Sequence, residues 1–424
     1  MSELDRIKQI MPEMDKVSPT FCLAKWHHVT IYLQTGETHS CYHPAPHSIP
    51  LEELKDNPSA LHNTNEKKQE RKLMLEGKQP KGCQYCWNIE CMGKDYVSDR
   101  HIKSSSIHTP ERIEEIKSNP WDYNINPEYI EINFSNECNF KCGYCHPKFS
   151  TRYYNEIKQH GPYKDVTAHS NNIDWFKLYE EDDNPYLEAW WKWWPEVSKT
   201  LNILRITGGE PLMHKSTWRL FEELKENPKP HLNIELNSNM GVKEKLVKKL
   251  VEKLKELKSL KAINSFKLYT SIDTWGPRAS YTRTGLDIGL WERNLDYYLT
   301  NTGWPVTFMI TFNLFAVTSF NKLLEKILEW RHKYNSDMQT KWQRIRFDTP
   351  YLRDPIQFDM NILPKEKFMP YMKKHLQLMH DYQDDTDRTK FSSLEVEKFR
   401  RVVDYMEKTQ YDKEKLQKGR KNFY

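Results

Sequence analysis

Between residues 126 and 355 the sequence alternates short β-rich runs with amphipathic helical stretches, and this rhythm constrains the fold more than any other feature. The runs are Tyr129–Phe134, Ile203–Thr207, Leu232–Leu236, Phe266–Ile272, Val306–Phe312 and Arg344–Phe347. Helical periodicity fills most of the gaps, over Ser216–Glu226, Lys243–Lys258, Leu290–Leu299 and Phe320–His332. Parallel neighbours need a crossover, usually a helix, so the alternation predicts an α/β fold with a mostly parallel sheet. Six such units are too few for a closed eight-stranded barrel. A curved, partly open (β/α)6 barrel is therefore expected.

The flanks read differently. Residues 1–125 form a cysteine-rich region with Cys22, Cys41, Cys83, Cys86 and Cys91. Its charged stretch Asn65–Lys72 reads as an exposed helix. His28–Leu33 alternates like a strand, and Gly36 marks a turn before Cys41, so a hairpin is expected there. The polar stretch Thr151–Asp183 reads as loop. A helix carrying Trp190, Trp191, Trp193 and Trp194 follows it, and core packing is its expected role. Residues 356–424 read as a C-terminal helical extension with a basic, solvated tail, Lys413–Lys421.

Composition excludes several function classes. A net charge of +5, from 64 basic and 59 acidic residues, is too small an excess to indicate nucleic acid. No run approaches the ~18 apolar residues of a membrane span. The charged N-terminus carries no secretion signal. A cytoplasmic protein is expected. Eight cysteines in 424 residues fall well short of the ~8–10% of a disulfide scaffold. In a reducing compartment, clustered cysteines more often bind metal or do chemistry.

Directly after the first run comes Cys138-Asn-Phe-Lys-Cys142-Gly-Tyr-Cys145. Three thiolates on one tight loop can hold three irons of a cubane and leave the fourth iron without a protein ligand. That open iron can chelate the amino and carboxylate groups of a small molecule. A zinc site completed by a distant ligand such as His146 is the alternative use of the same cysteines. In barrels of this kind, chemistry sits at the C-terminal ends of strands, which is where this loop falls.

Later strand ends are also polar. The second run ends in Thr207-Gly208-Gly209-Glu210, where glycines allow close backbone approach and Glu210 offers an acceptor for an ammonium group. Asn237 and Asn239 share one face after the third run, as Ser271 and Asp273 do after the fourth. Such pairs suit a ribose or a carboxylate, and they equally suit turn caps. Arg278 and Arg283 lie near the same rim, and either can bind a carboxylate bidentately. In the N-terminal region, Cys22 and Cys41 bracket the expected hairpin, and Cys83 and Cys86 form Cys-x2-Cys. Four thiolates from two loops make a closed site. Zinc and [4Fe-4S] both accept four cysteines, and spacing does not separate them.

Together these motifs resemble the radical SAM superfamily. The Cys138, Cys142, Cys145 spacing, with Tyr144 before the third cysteine, is similar to that family's cluster loop, which also follows the first strand of a six-unit partial barrel. The resemblance implies a [4Fe-4S] cluster with S-adenosylmethionine (SAM) on its open iron and Tyr144 beside it. It implies that Gly208, Gly209 and Glu210 contact the SAM amino group, and that Asn237, Asn239, Ser271 and Asp273 line its ribose and carboxylate. The implied reaction is reductive cleavage of SAM to methionine and a 5′-deoxyadenosyl radical, which takes a hydrogen atom from a substrate.

The Cys22-x13-Gly36-x4-Cys41 element resembles the start of a SPASM or twitch domain, placed before the barrel as in a phage or bacterial group of radical SAM proteins. This implies one auxiliary [4Fe-4S] cluster on Cys22, Cys41, Cys83 and Cys86, with Cys91 spare. Many SPASM and twitch proteins modify peptides, so the resemblance implies a peptide or protein substrate, with a small metabolite (a sugar or an amino acid) as the alternative. A low-potential donor such as flavodoxin or ferredoxin is the implied redox partner. A non-enzymatic interaction protein with two zinc sites is the reading from a different class.

Overall fold

The computed structural model describes residues 3–93, 96–163, 172–335 and 343–421. The chain divides into two compact units. The first is Met1–Phe134 with Leu178–Ile206 and His231–Asn233; the second is Ser135–Lys177 with Thr207–Pro230 and Ile234–Tyr424. The strands are β1 (His28–Tyr32), β2 (Glu37–His39), β3 (His47–Ser48), β4 (Tyr129–Asn133), β5 (Lys141–Cys142), β6 (Ile203–Thr207), β7 (Lys229–Ser238), β8 (Ile263–Ser271), β9 (Arg283–Thr284), β10 (Val306–Met309) and β11 (Ile345–Asp348).

The first unit carries strands in the order β6-β4-β1-β2-β3. The expected hairpin is present: β1 and β2 pair antiparallel, with Thr30 opposite His39, and Gly36 adopts the positive φ of +65° that this turn requires. β1 also pairs in parallel with β4, from His28–Tyr129 to Tyr32–Asn133. The tryptophan helix spans Pro185–Val197. Asn184 caps it by accepting from the Tyr186 and Leu187 N–H groups, and Pro185 stands where no intrahelical donor is needed. Trp190, Trp193 and Trp194 are buried and Trp191 stacks on Phe134, so their role is packing.

The helix Asn65–Leu75 is not exposed on all sides, because Lys67 and Arg71 are buried. Lys67 Nζ donates to Thr38 Oγ1 at 2.7 Å. Arg71 donates to Asn63 Oδ1 and to the Lys25 carbonyl at 2.9 and 3.2 Å. A charge run marks a solvated face only when no buried acceptors lie opposite it.

The second unit orders its strands β11-β10-β8-β7, with β10 parallel to both β8 and β11. Ile234 and Leu236 on β7, and Phe266 and Leu268 on β8, are fully buried on one face. The alternation turns Glu235, Asn237, Lys267, Tyr269 and Ser271 to the other, half-buried face. Crossover helices Lys215–Glu226, Glu244–Ser259, Ile288–Asn301 and Phe320–Asn335 follow the sequence periodicity within a residue or three. The fold is mixed α/β with parallel strands and helical crossovers, as the alternation predicts.

The stretch read as loop after the cysteine motif is partly helical. Thr151–His160 is a helix whose start is capped by Ser150, and Tyr153 and Ile157 supply its buried face. The rest of that stretch includes residues 164–171, which lie outside the described residues. The C-terminal extension contains helices Lys365–Asp381, Ser393–Lys408 and Lys413–Lys421. Among the described residues, no helix is long and apolar enough to cross a membrane.

Candidate active site

The three-cysteine loop belongs wholly to the second unit. β5, inside the motif, pairs antiparallel with β9 so that Cys142 stands opposite Arg283. The Gly143 N–H donates to the Thr282 carbonyl at 2.9 Å. On the other side, the Cys138 N–H donates to Thr151 Oγ1 at 3.1 Å, and Ser150 Oγ to the Phe140 carbonyl at 2.7 Å. Ser150 and Thr151, at the start of the Thr151–His160 helix, thus hold the incoming end of the loop.

All three sulfurs lie in partly buried surroundings and influence one another electrostatically. Burial pushes the Cys138 and Cys142 thiols upward, and that of Cys145 up to about 12. Left alone, such thiols stay neutral; a metal cation reverses that balance. Donors are already aimed at the sulfurs. The Phe140 N–H lies 3.4 Å from Cys138 Sγ, Asn239 Nδ2 3.9 Å from the same atom, and Arg283 Nη1 3.9 Å from Cys142 Sγ. Three soft donors on one loop, with N–H groups directed at two of them, fit an iron–sulfur cluster. His146, the candidate fourth zinc ligand, uses Nδ1 to accept from the Lys148 N–H at 3.0 Å.

The Gly208–Glu210 turn packs on the entry to this loop. A Cβ on Gly209 would stand 2.3 Å from the Glu137 carbonyl oxygen. The Glu210 N–H donates to that same oxygen at 2.7 Å. The close backbone approach that the glycines permit is therefore to the chain's own Asn136–Glu137 segment. Gly208 itself takes φ +115°. Glu210 is fully buried and accepts from the Leu212 N–H (3.1 Å), Ser238 Oγ (2.8 Å) and the Asn239 N–H (2.6 Å). Burial raises its carboxyl to about 7 against those donors. In this structure it ties the end of β7 to the turn after β6.

Asn239 reaches the loop directly, donating to Asn139 Oδ1 at 2.8 Å. Asn237 and Ser271 are half-buried on the polar faces of β7 and β8. Asp273 is fully buried, and its carboxylate is shared among Arg283 Nη2 (2.7 Å) and Nε (3.1 Å), the Tyr144 hydroxyl (2.6 Å) and the Thr311 N–H (3.2 Å). The carboxylate that Arg283 could bind is thus supplied by the chain itself. Arg278 lies at the surface and hydrogen-bonds Thr318. Phe358, which carried no local sequence signal, meets Tyr144 edge-on at 5.9 Å between ring centroids.

In the first unit, Cys22, Cys41, Cys83 and Cys86 line one cavity together with Lys25, His43 and Arg100. Burial pushes the Cys22 thiol up to about 12 and that of Cys86 to about 11, with neighbouring cysteines adding to both. Lys25 is buried, ion-paired with Glu70 at 2.6 Å and charged beside Cys83. Four thiols and a buried cation suit an anionic cluster. Cys91 is exposed and does not line this cavity. Among the described residues, no three His, Cys, Asp or Glu side chains converge tightly enough to hold a single metal ion.

Residues 132–312 match the Radical SAM superfamily. A GTP 3′,8-cyclase of Nautilia profundicola is 24% identical over 123 residues, which is 29% of this chain and 31% of that protein. The chain thus spans about a third of the length of that relative. A solved structure described as native anSMEcpe with bound AdoMet and Kp18Cys peptide aligns with 62% of this chain and 63% of its own, at 15% identity and a TM-score of 0.38.

Proposed function

We propose that the chain, whose residues 132–312 match the Radical SAM superfamily, is a radical SAM enzyme in which Cys138, Cys142 and Cys145 hold a [4Fe-4S] cluster at which SAM is cleaved to modify a peptide or protein. The observation that carries this reading is the loop of three cysteines with N–H donors aimed at its sulfurs. When bound, the cluster supplies the electron that splits SAM into methionine and a 5′-deoxyadenosyl radical able to take hydrogen from a substrate.

The protein's own residues do the positioning. Asn239 and Arg283 orient donors toward the sulfurs, and Glu210 fixes Asn239 through its backbone. Tyr144 and Phe358 cover one side of the loop and limit water there. The half-buried polar face of β7 and β8, with Asn237, Ser271 and the Lys267–Glu235 pair at 2.9 Å, offers hydrogen bonds to SAM or substrate.

The peptide or protein substrate rests on the likeness of the Cys22–Cys41 element to SPASM and twitch domains. In the same reading, Cys22, Cys41, Cys83 and Cys86 hold an auxiliary [4Fe-4S] cluster that takes an electron from the product radical or binds substrate. A low-potential donor such as flavodoxin or ferredoxin serves the SAM site. The similarity to a GTP 3′,8-cyclase favours a second reading, a small-metabolite substrate.

The test is anaerobic reconstitution, then dithionite and SAM, with chromatography for 5′-deoxyadenosine. The wild-type protein should form it and C142A should not. Product from C142A at the wild-type rate would remove the three-cysteine site from the mechanism. Bound zinc in place of iron would support the non-enzymatic alternative.

A further inference from the structure

We infer that Arg283 and Asp273 form an opposed charge pair that sets the reduction potential of the cluster held by the Cys138–Cys145 loop. The inference rests on the cluster assignment above and adds a role that the sequence motif does not contain.

The geometry is specific. Arg283 is 6% exposed and Asp273 is 0% exposed. Three guanidinium nitrogens are committed: Nε and Nη2 to Asp273 at 3.1 and 2.7 Å, and Nη1 toward Cys142 Sγ at 3.9 Å. The guanidinium also lies 5.5 Å from the Tyr144 ring centroid. β5–β9 pairing fixes this arrangement from the backbone, since Cys142 and Arg283 are direct cross-strand partners. Arg283 Nη1 is thus the part of the pair turned toward the sulfur, while Asp273 holds the other edge of the guanidinium through Nε and Nη2 and acts on Cys142 with the opposite sign.

The sign of the effect follows. Reduction adds negative charge to the cluster. A cation and an N–H donor at a ligand sulfur stabilise the reduced form and raise the potential. Asp273 offsets part of that field. Burial keeps water from screening either charge. Removing Arg283 should make reduction harder, and neutralising Asp273 should make it easier. A purely structural role would not give opposite shifts.

The experiment is a potentiometric titration of the reconstituted full-length protein, followed by electron paramagnetic resonance of the reduced [4Fe-4S]+ signal. C22A is used as the background, so that the signal comes from one site. R283Q should lower the ratio of reduced to oxidised cluster at a fixed potential about tenfold, which is about 59 mV for one electron. D273N should shift the same equilibrium in the opposite direction. Y144F keeps both charges and should shift it by less than a factor of about three, about 28 mV.

If R283Q and D273N move the potential in the same direction, or neither moves it, the pair does not set the potential. If R283Q binds no iron at this loop, D273N decides alone: an upward shift supports the inference and none overturns it. Absence of any [4Fe-4S] signal from the parent protein would instead overturn the cluster assignment itself.

Discussion

The Phe358 ring fills the space beside Gly143: a Cβ on Gly143 would stand 2.4 Å from the ring's Cζ. Gly143 lies between two of the three motif cysteines, and Phe358 lies more than two hundred residues later, in the C-terminal extension. The Leu314 N–H donates to the Phe358 carbonyl at 3.0 Å, which fixes the backbone from which the ring projects. G143A should therefore distort the cysteine loop and lower its iron and labile-sulfide content by half or more. F358A, which removes a half-buried ring, should cost less than the ~3–5 kcal/mol of a fully buried phenylalanine. The double variant should recover most of the iron lost in G143A, as expected for two residues competing for one space. Additive losses in the double variant would show that the ring does not dictate the glycine.

Much of this was legible in the sequence, for physical reasons. Strands β4, β6, β7, β8, β10 and β11 were visible because each alternates or concentrates apolar residues between polar turns. The cysteine motifs were visible because ligation requires fixed spacing. Long-range pairing was not. Asp273 appeared as a ligand-facing carboxylate, yet Arg283, Tyr144 and Thr311 saturate it. Lys67 and Arg71 looked solvated, because nothing local announces Thr38 and Asn63 as buried acceptors. The Thr151–His160 helix was hidden by its polar composition, with Tyr153 and Ile157 alone facing inward.

The four-cysteine cavity separates Cys91 from its neighbours. Cys91 is exposed and lies outside the cavity that Cys22, Cys41, Cys83 and Cys86 share. C91S should keep the iron content of the reconstituted wild type. C22A should lose about four irons, one cubane, and keep the signal of the Cys138–Cys145 loop. Equal iron loss in C91S and C22A would place Cys91 among the ligands.

A stability prediction concerns the extension. Arg331 is fully buried and pairs with Glu395 at 2.6 Å. The same guanidinium donates to the Ile345 carbonyl at the start of β11 and to the Lys390 carbonyl. Glu395 also closes the capping box of the Ser393–Lys408 helix with Ser392. The pair therefore joins the last strand to the C-terminal helices within the second unit. R331M leaves a buried carboxylate without its cation and should cost about 3–5 kcal/mol by denaturant unfolding. R331M/E395L restores charge balance and should recover part of that loss. A loss below about 1 kcal/mol in R331M would show that the pair is not desolvated.

Part of the acid sensitivity should come from His27, beside His28, His47, His62 and His101, whose rings burial also holds below their ordinary pKa. The His27 ring is buried in the first unit, and neither ring nitrogen has a hydrogen-bond partner. Burial, followed by the charges of Arg112 and Arg71, lowers its pKa from 6.5 to about 3. Above pH 6.5 the ring is neutral in both folded and unfolded chains, and stability is unaffected. As pH falls below 6.5, the unfolded chain takes up a proton that the folded one refuses until about pH 3. Stability is thus lost on acidification, by about 2 kcal/mol at pH 5 from this group. H27Q cannot titrate. Whatever its stability at pH 7.5, the drop between pH 7.5 and pH 5 should be smaller than in the wild type by about that amount. The comparison needs unfolding curves at those two pH values. An unchanged drop in H27Q would mean that the ring is protonated, or hydrated, within the folded first unit.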